Sequence, residues 1–311
     1  MAQHISLADP PVGVPQFLVA AERLPDDPHT AVVAGLARVA ERGLAGAALR
    51  LLHSGELRCE PEPPHLLGRP RGPVRTEQLR ARFDRADHHL AVRIVGAGGA
   101  GPGAVQAARA AARALAASCG GLVADAFTGQ VLPAGGGAEA LEFQLADQWL
   151  ALYLDRPAAR DRGPGRRAAP AEIASAGLAR FGLPDLNLRG IALHQWFLAT
   201  TLLRGLATRL LTDHWTWSAE RPGRARRWLA VRTVVDTRDV KRYWGVLDDQ
   251  PPVASVEVRL TPLTPPAAGA GTRVLVRPRA SYTGGIDSWL DRIAALAFPL
   301  DRAAARATTP G

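Results

Sequence analysis

Leu90-Ala91-Val92-Arg93-Ile94-Val95, then Gly96-Ala97-Gly98-Gly99-Ala100-Gly101, then an alanine-rich stretch from Pro102 decide how the first half of the chain is read. The apolar run, beginning at His89, has the length and composition of a buried strand. Val105, Ala108, Ala112 and Leu115 recur at helical spacing, with Arg109 and Arg113 expected on the solvent side. Gly120-Gly121 ends the helix, and Leu122 to Ala126 forms the next strand. The unit is strand, helix, strand.

The same pattern occurs once upstream. Val14 to Ala21 (VPQFLVAA) reads as a strand, and Asp27 caps a helix with Pro28 at its first position. Val32, Val33, Leu36, Val39 and Ala40 mark its buried stripe, Gly43 ends it, and Ala47 to His53 reads as a strand. Glu56 to Glu60 pairs with that strand across Ser54-Gly55. Pro61 to Pro73 interrupts the pattern before a helix from Thr76 to Arg85, and a turn at Thr128-Gly129 leads to Val131-Leu132. Two β-α-β units joined through a longer excursion predict a split βαβ, ferredoxin-like sheet with helices on one face.

Pro157 to Pro170 (PAARDRGPGRRAAP) carries no apolar periodicity and reads as a linker. The expected organisation is an α+β ferredoxin-like half over 1–155, an Arg/Pro/Gly linker over 156–170, an α+β half over 171–300, and a polar tail over 301–311. A long apolar helix from about Ile191 to Trp215, with Leu198, Leu202, Leu206 and Leu210 at every fourth place, is the expected centre of the second half. Arg204 and Arg209 inside it are costly in lipid, so it reads as a helix of a soluble protein and no membrane span is expected. A strand from Trp228 to Val235, a helix capped by Asp236, paired strands Val253 to Leu260 and Arg273 to Val276, and a closing helix with Trp289, Leu290, Ile293 and Leu296 inward complete it.

Gly96, Gly98 and Gly101 followed by Asp125 also match the order of a dinucleotide-binding fingerprint, in which the glycines cradle a pyrophosphate and the acid holds a ribose. With 31 glycines in 311 residues, three required glycines coincide about 0.3 times in the chain by chance. A fingerprint helix would also place Pro102 inside its first turns, where its ring opposes a carbonyl at a cost of about 3 kcal/mol. Pro102 at the first helical position costs nothing, and the glycines then form a plain connection. A nucleotide-cofactor-dependent enzyme using Gly96 to Gly101 is therefore the alternative, and no cofactor is expected.

Net charge is +9, but Lys241 is the single lysine, leaving 37 of 38 basic residues as arginine. With abundant alanine, glycine and proline, this reads as the codon bias of a high-GC bacterial genome. Trp215, Trp217 and Trp228 bracket Arg221, Arg224, Arg226 and Arg227, an aromatic and basic mixture that makes a nucleic-acid binder using 215–232 a second alternative. Cys59 and Cys119 are too few for a disulfide framework, and Met1 to Ser6 has no signal-peptide character, so a cytoplasmic location is expected.

Gly177-Leu178-Ala179-Arg180-Phe181-Gly182-Leu183-Pro184-Asp185-Leu186 resembles a G-L-x-x-F-G-x-P-E-L element of uncharacterised bacterial domain-of-unknown-function proteins, with Asp185 where that pattern has glutamate. The segment from His88-His89 through Gly120-Gly121 is similar to the same proteins, and the resemblance implies an α+β fold. Locally, Phe181 closes a helical turn, Gly182 takes the left-handed cap position and Pro184 blocks continuation. His88 and His89 point to opposite faces of a strand, and His194 and His214 lie at opposite ends of the long helix. No metal set or catalytic triad is assembled, so no metal and no catalytic residue is expected. The expectation is a non-catalytic intracellular binding or interaction module whose partner the sequence does not identify, a protein being expected ahead of nucleic acid.

Overall fold

In the computed structural model, which describes residues 4–7, 13–63, 74–95, 101–132, 137–155, 170–221, 227–247, 249–263 and 272–297, these residues form eight α-helices and three mostly antiparallel sheets. The fold class is α+β. A short strand, β1 (His4–Leu7), precedes the first of two compact units, which comprises residues 9–143 and 179–182.

That unit runs β2 (Pro15–Ala21), α1 (Pro28–Val39), α2 (Arg42–His53), β3 (Leu57–Glu62), α3 (Val74–Asp84), β4 (His88–Ile94), α4 (Pro102–Cys119), β5 (Leu122–Asp125) and β6 (Val131–Leu132). Its sheet has the antiparallel order β3-β4-β2-β5-β6. β2 is central because both its faces are apolar: Phe17 and Val19 on one side and Leu18 and Ala20 on the other are all buried. Asp27 caps α1 as expected, accepting from the backbone N–H groups of His29 and Thr30 at 3.0 and 3.2 Å. Alanine lets α4 approach its neighbours closely. A β-carbon on Gly35 of α1 would stand 2.9 Å from that of Ala114.

Several expectations are corrected here. Ala47 to His53 is not a strand but the end of α2, which buries Leu44, Ala45, Ala48 and Leu52 at helical spacing. Alanine, leucine and arginine are strong helix formers, and the run has no β-branched residue to favour a strand, so its short apolar length alone misled. β3 therefore pairs with β4 and not with 47–53. The helices do not all share one face, since Phe83 and Leu79 of α3 pack on Leu18, Ala20, Ala91, Leu122 and Ala124, the face of β2 opposite Phe17. Arg109 and Arg113 are not on a wet face either. Arg109 is buried, and both reach Glu139, at 2.5 and 2.8 Å.

The second unit comprises residues 1–8, 144–178 and 183–311. Its described elements are β1 and then α5 (Ala146–Trp149), β7 (Ala151–Asp155), β8 (Ala171–Ala176), β9 (Asp185–Ile191), α6 (Trp196–Glu220), β10 (Arg227–Ala230), β11 (Arg232–Asp236), α7 (Thr237–Tyr243), β12 (Ser255–Leu263), β13 (Arg273–Pro278) and α8 (Ile286–Ala297). The six-stranded sheet has the order β11-β12-β13-β9-β8-β7, with only β13 and β9 parallel. β7, placed by the sequence at the end of the first half, pairs with β8, and the stretch 156–169 lies outside the described residues. The strand expected from Trp228 to Val235 is divided at Val231. β10 pairs with β1 while β11 pairs with β12.

The long helix is displaced and is not apolar. Ile191 ends β9, and α6 runs from Trp196 to Glu220. Ala199, Leu202, Leu203, Leu206, Ala207, Leu210 and Leu211 form a buried stripe, but Phe197 is exposed and Arg204, Arg209 and Asp213 interrupt the other sides. The fourfold leucine spacing marks one face only. Asp236 caps α7 in a reciprocal box with Asp239.

Two substitutions test this packing by denaturant unfolding. Leu202→Ala is expected to cost about 2–5 kcal/mol through the cavity it leaves. Gly205→Ala places a β-carbon 2.9 Å from methyls of both Val235 and Val240. The helix-propensity gain of about 1 kcal/mol is then outweighed by an overpacking cost of about 1–3 kcal/mol. A stabilised Gly205→Ala protein would show that α6 does not press on β11 and α7.

Candidate functional site

Of the fingerprint residues, Gly96 and Gly98 lie outside the described residues, and Gly101 with Pro102 opens α4 without a side-chain cap. Asp125 is buried, and both its oxygens accept from Nη2 of Arg180, at 2.5 and 2.6 Å. Its Oδ1 also accepts from the backbone N–H groups of Phe127 and Thr128. The Arg180 guanidinium lies over the rings of Phe127 and Phe17, at 4.9 and 5.7 Å. The arginine of the G-L-x-x-F-G element thus secures Asp125 within the first unit. In the second unit the Asp185 carboxylate accepts from Leu178 N–H at 3.1 Å, and Gly182 has the predicted left-handed backbone (φ +70°).

The tryptophan and arginine segment does not present one basic face. Arg224 and Arg226 lie outside the described residues, and Arg221 pairs with Glu220. Arg227 is buried 5.9 Å from the Trp217 ring, while Trp228 is exposed. Burial, and then Arg227, pull His214 down to about 4. His89 hydrogen-bonds the Phe83 carbonyl and His88 is exposed. Among the described residues no group of histidines, cysteines or carboxylates could hold a metal ion.

Asp147, Arg204 and Tyr243 form a polar brace in the second unit. The Asp147 carboxylate accepts from Arg204 at 2.9 and 3.1 Å and from the Tyr243 hydroxyl at 2.7 Å. Burial, reinforced by Asp147, raises the Tyr243 phenol above its ordinary 10, so it stays a protonated donor. Arg204 also lies 5.1 Å from the Trp244 ring. These contacts tie α5 to α6 and α7.

The strongest candidate is one that sequence reasoning missed. Alternation in the six-stranded sheet turns Val256, Val258, Leu260, Val274, Val276, Leu186 and Leu188 into the core. Among the intervening residues on the other face stand Arg232, Arg259, Arg277 and Arg189. Register places Arg232 of β11 beside Arg259 of β12, and Arg259 beside Arg277 of β13. Leu275 is level with Asn187, and two residues beyond each stand Arg277 and Arg189 on the same face. The row ends with Glu172 and Asp155 at the far strands, and Glu172 pairs with Arg189 at 2.9 Å.

Arg189, Arg259 and Arg277, joined by Arg279 beyond β13, line a cavity of about 400 Å³. Gly284, Gly285 and Ile286 bring backbone and the start of α8 to its wall. The Nε of Arg259 is buried and has no hydrogen-bond partner among the described residues. Nor is Arg259, Arg277 or Arg279 in an ion pair among them. Directly opposed like charges destabilise a sheet. A cluster of guanidiniums, whose forks match carboxylate and phosphate oxygens, is relieved by an anion.

No protein-family model, curated protein or solved structure matches the chain. The signal for the site was present only as Arg259, Arg273 and Arg277 set among alternating valines in VEVRL and RVLVRP.

Asp125→Ala is expected to cost about 3–5 kcal/mol, because Arg180 is left charged and buried; an unchanged denaturation midpoint would refute the pairing. The His214 shift gives a pH prediction. The unfolded chain binds this proton near 6.5 and the folded chain only near 4. Stability carried by the neutral ring is therefore whole above pH 6.5 and is lost as pH falls towards 4. His214→Gln is expected to flatten that part of the stability profile.

Proposed function

We propose that this chain is a non-catalytic binding module whose ligand is anionic, taken at the arginine cavity beside the six-stranded sheet. The observation that carries the reading is the register-aligned row Arg232, Arg259 and Arg277, extended by Arg189 and Arg279 around one cavity. Four arginines around about 400 Å³ supply more hydrogen-bond donors than one carboxylate accepts, and a tetrahedral dianion uses more of them. The ligand is accordingly a phosphate-bearing molecule, and the binding is electrostatic and salt-sensitive. A cytosolic setting accords with Cys59 and Cys119, both free thiols. No described helix is long and apolar enough to cross a membrane.

The same proposal reads the first unit as a split βαβ, ferredoxin-like sheet extended by β6. What supports it is the order β3-β4-β2-β5, which two interleaved β-α-β units produce.

Thermal unfolding at constant ionic strength tests the site. Inorganic phosphate is expected to raise the midpoint of the native chain, by about 2.7 kcal/mol at a hundredfold excess over its Kd. The double variant Arg259→Gln/Arg277→Gln should lose that shift. Without ligand it should be as stable as the native chain or up to about 1 kcal/mol more so, because an opposed charge pair is gone. Equal shifts in both proteins, or the same shift with chloride, would overturn the site.

A further inference from the structure

A second cavity, of about 240 Å³, adjoins the arginine cavity and shares Arg279 and Tyr282 with it. Its character differs. Val256, Trp289 and Ile293, all buried and so held by the core, give it an apolar wall, while Glu257 and Arg292 add one carboxylate and one guanidinium. Tyr282 stands at the junction, half-buried. Its hydroxyl is 2.9 Å from Ser288 Oγ, which in turn lies 3.0 Å from the Gly285 carbonyl. Gly284 passes so near that a β-carbon there would meet the Tyr282 hydroxyl at 2.5 Å. The ring is thus fixed in place by the turn that begins α8.

Resting on the anion-binding reading above, we infer that the two cavities are one site for a mononucleotide-class ligand: a small organic phosphate with a flat ring. The phosphate lies among Arg259, Arg277 and Arg279, and the ring lies against Tyr282 in the apolar compartment. The arginine compartment, at about 400 Å³, is by itself within the range of sites that enclose small ligands, about 300–1,000 Å³, and the second compartment enlarges it. A basic compartment alone would serve inorganic phosphate. The apolar one adds a surface that only a ring-bearing ligand uses, since every base has a face that stacks on an aromatic side chain. Glu257 is an acceptor for an N–H group on the ring edge. This site is separate in sequence from the glycine run Gly96 to Gly101.

Calorimetric titration of the full chain with adenosine monophosphate, adenosine and inorganic phosphate tests the inference. Adenosine monophosphate is expected to bind at least tenfold more tightly than either fragment. Tyr282→Ala should cut the ratio of nucleotide to phosphate affinity at least tenfold, and Tyr282→Phe, which keeps the ring, should retain most of that ratio. Arg259→Gln/Arg277→Gln should weaken the nucleotide and phosphate alike. Phosphate binding with no gain for the nucleotide overturns the two-compartment site and leaves the anion reading standing. Binding of neither overturns both. Adenosine binding as tightly as the nucleotide, unaffected by the arginine changes, overturns the assignment of compartments. A single-stranded pentanucleotide binding more than tenfold tighter than the monomer would replace the mononucleotide with a polymer.

Discussion

Hydrogen-bonded register between β12 and its neighbours is the constraint on which the second unit depends. A strand alternates its side chains between two faces, so a shift of one residue would exchange valines for arginines throughout the sheet. In the observed register Val256, Val258, Leu260, Val274 and Val276 are all buried. Fully burying each such side chain contributes about 1.5–3 kcal/mol. Opposed like charges cost only about 0.2–1 kcal/mol per pair. The hydrophobic face wins that comparison, and the arginine row is the consequence on the other side. Positive charge at Arg259 and Arg277 can therefore persist in a stable sheet without an ion pair among the described residues, leaving donors for a ligand.

Burial of arginine takes a different form in the first unit. Arg180 and Arg109 are inside, where an unpaired guanidinium would be expensive. Each meets a carboxylate, Asp125 and Glu139 respectively, through charge-assisted hydrogen bonds. Burial lowers the Arg109 pKa from its ordinary value while Glu139 opposes that shift. The backbone of Glu139 in turn pairs with that of Val39 and Glu41, so one residue ties α4, through its side chain, to the end of α1, through its backbone. Such pairs add little net stability over apolar packing, but each partner becomes costly to lose. The same residue type is thus an internal brace in one unit and a displayed donor in the other.

Much of the local structure was legible because its causes are local. Asp27 and Pro28, and Asp236, announced helix starts through hydrogen bonds spanning three residues or fewer. Gly120 and Gly182 announced helix ends through a backbone shape that other residues resist. The spacing in α4 and α8 placed Leu115, Trp289 and Ile293 in the core. The errors fell where two periods compete over a short apolar run, as in Ala47 to His53, or where a leucine stripe was taken for the whole circumference of α6. Arg109 and Arg113 were misplaced for another reason. Helical spacing shows which residues share a face, but not whether a second layer covers the opposite one.

By itself, then, the sequence determined an α+β protein, its caps and most of its strands. Tertiary structure alone decided which outward positions stand side by side. Asp125 and Arg180 are separated by 55 residues, and Arg232, Arg259 and Arg277 come from three different strands. Chain neighbours fix backbone shape through sterics and hydrogen bonds a few residues long. The company a side chain keeps is set by the register that buries the most apolar surface across the sheet, and no local pattern records it.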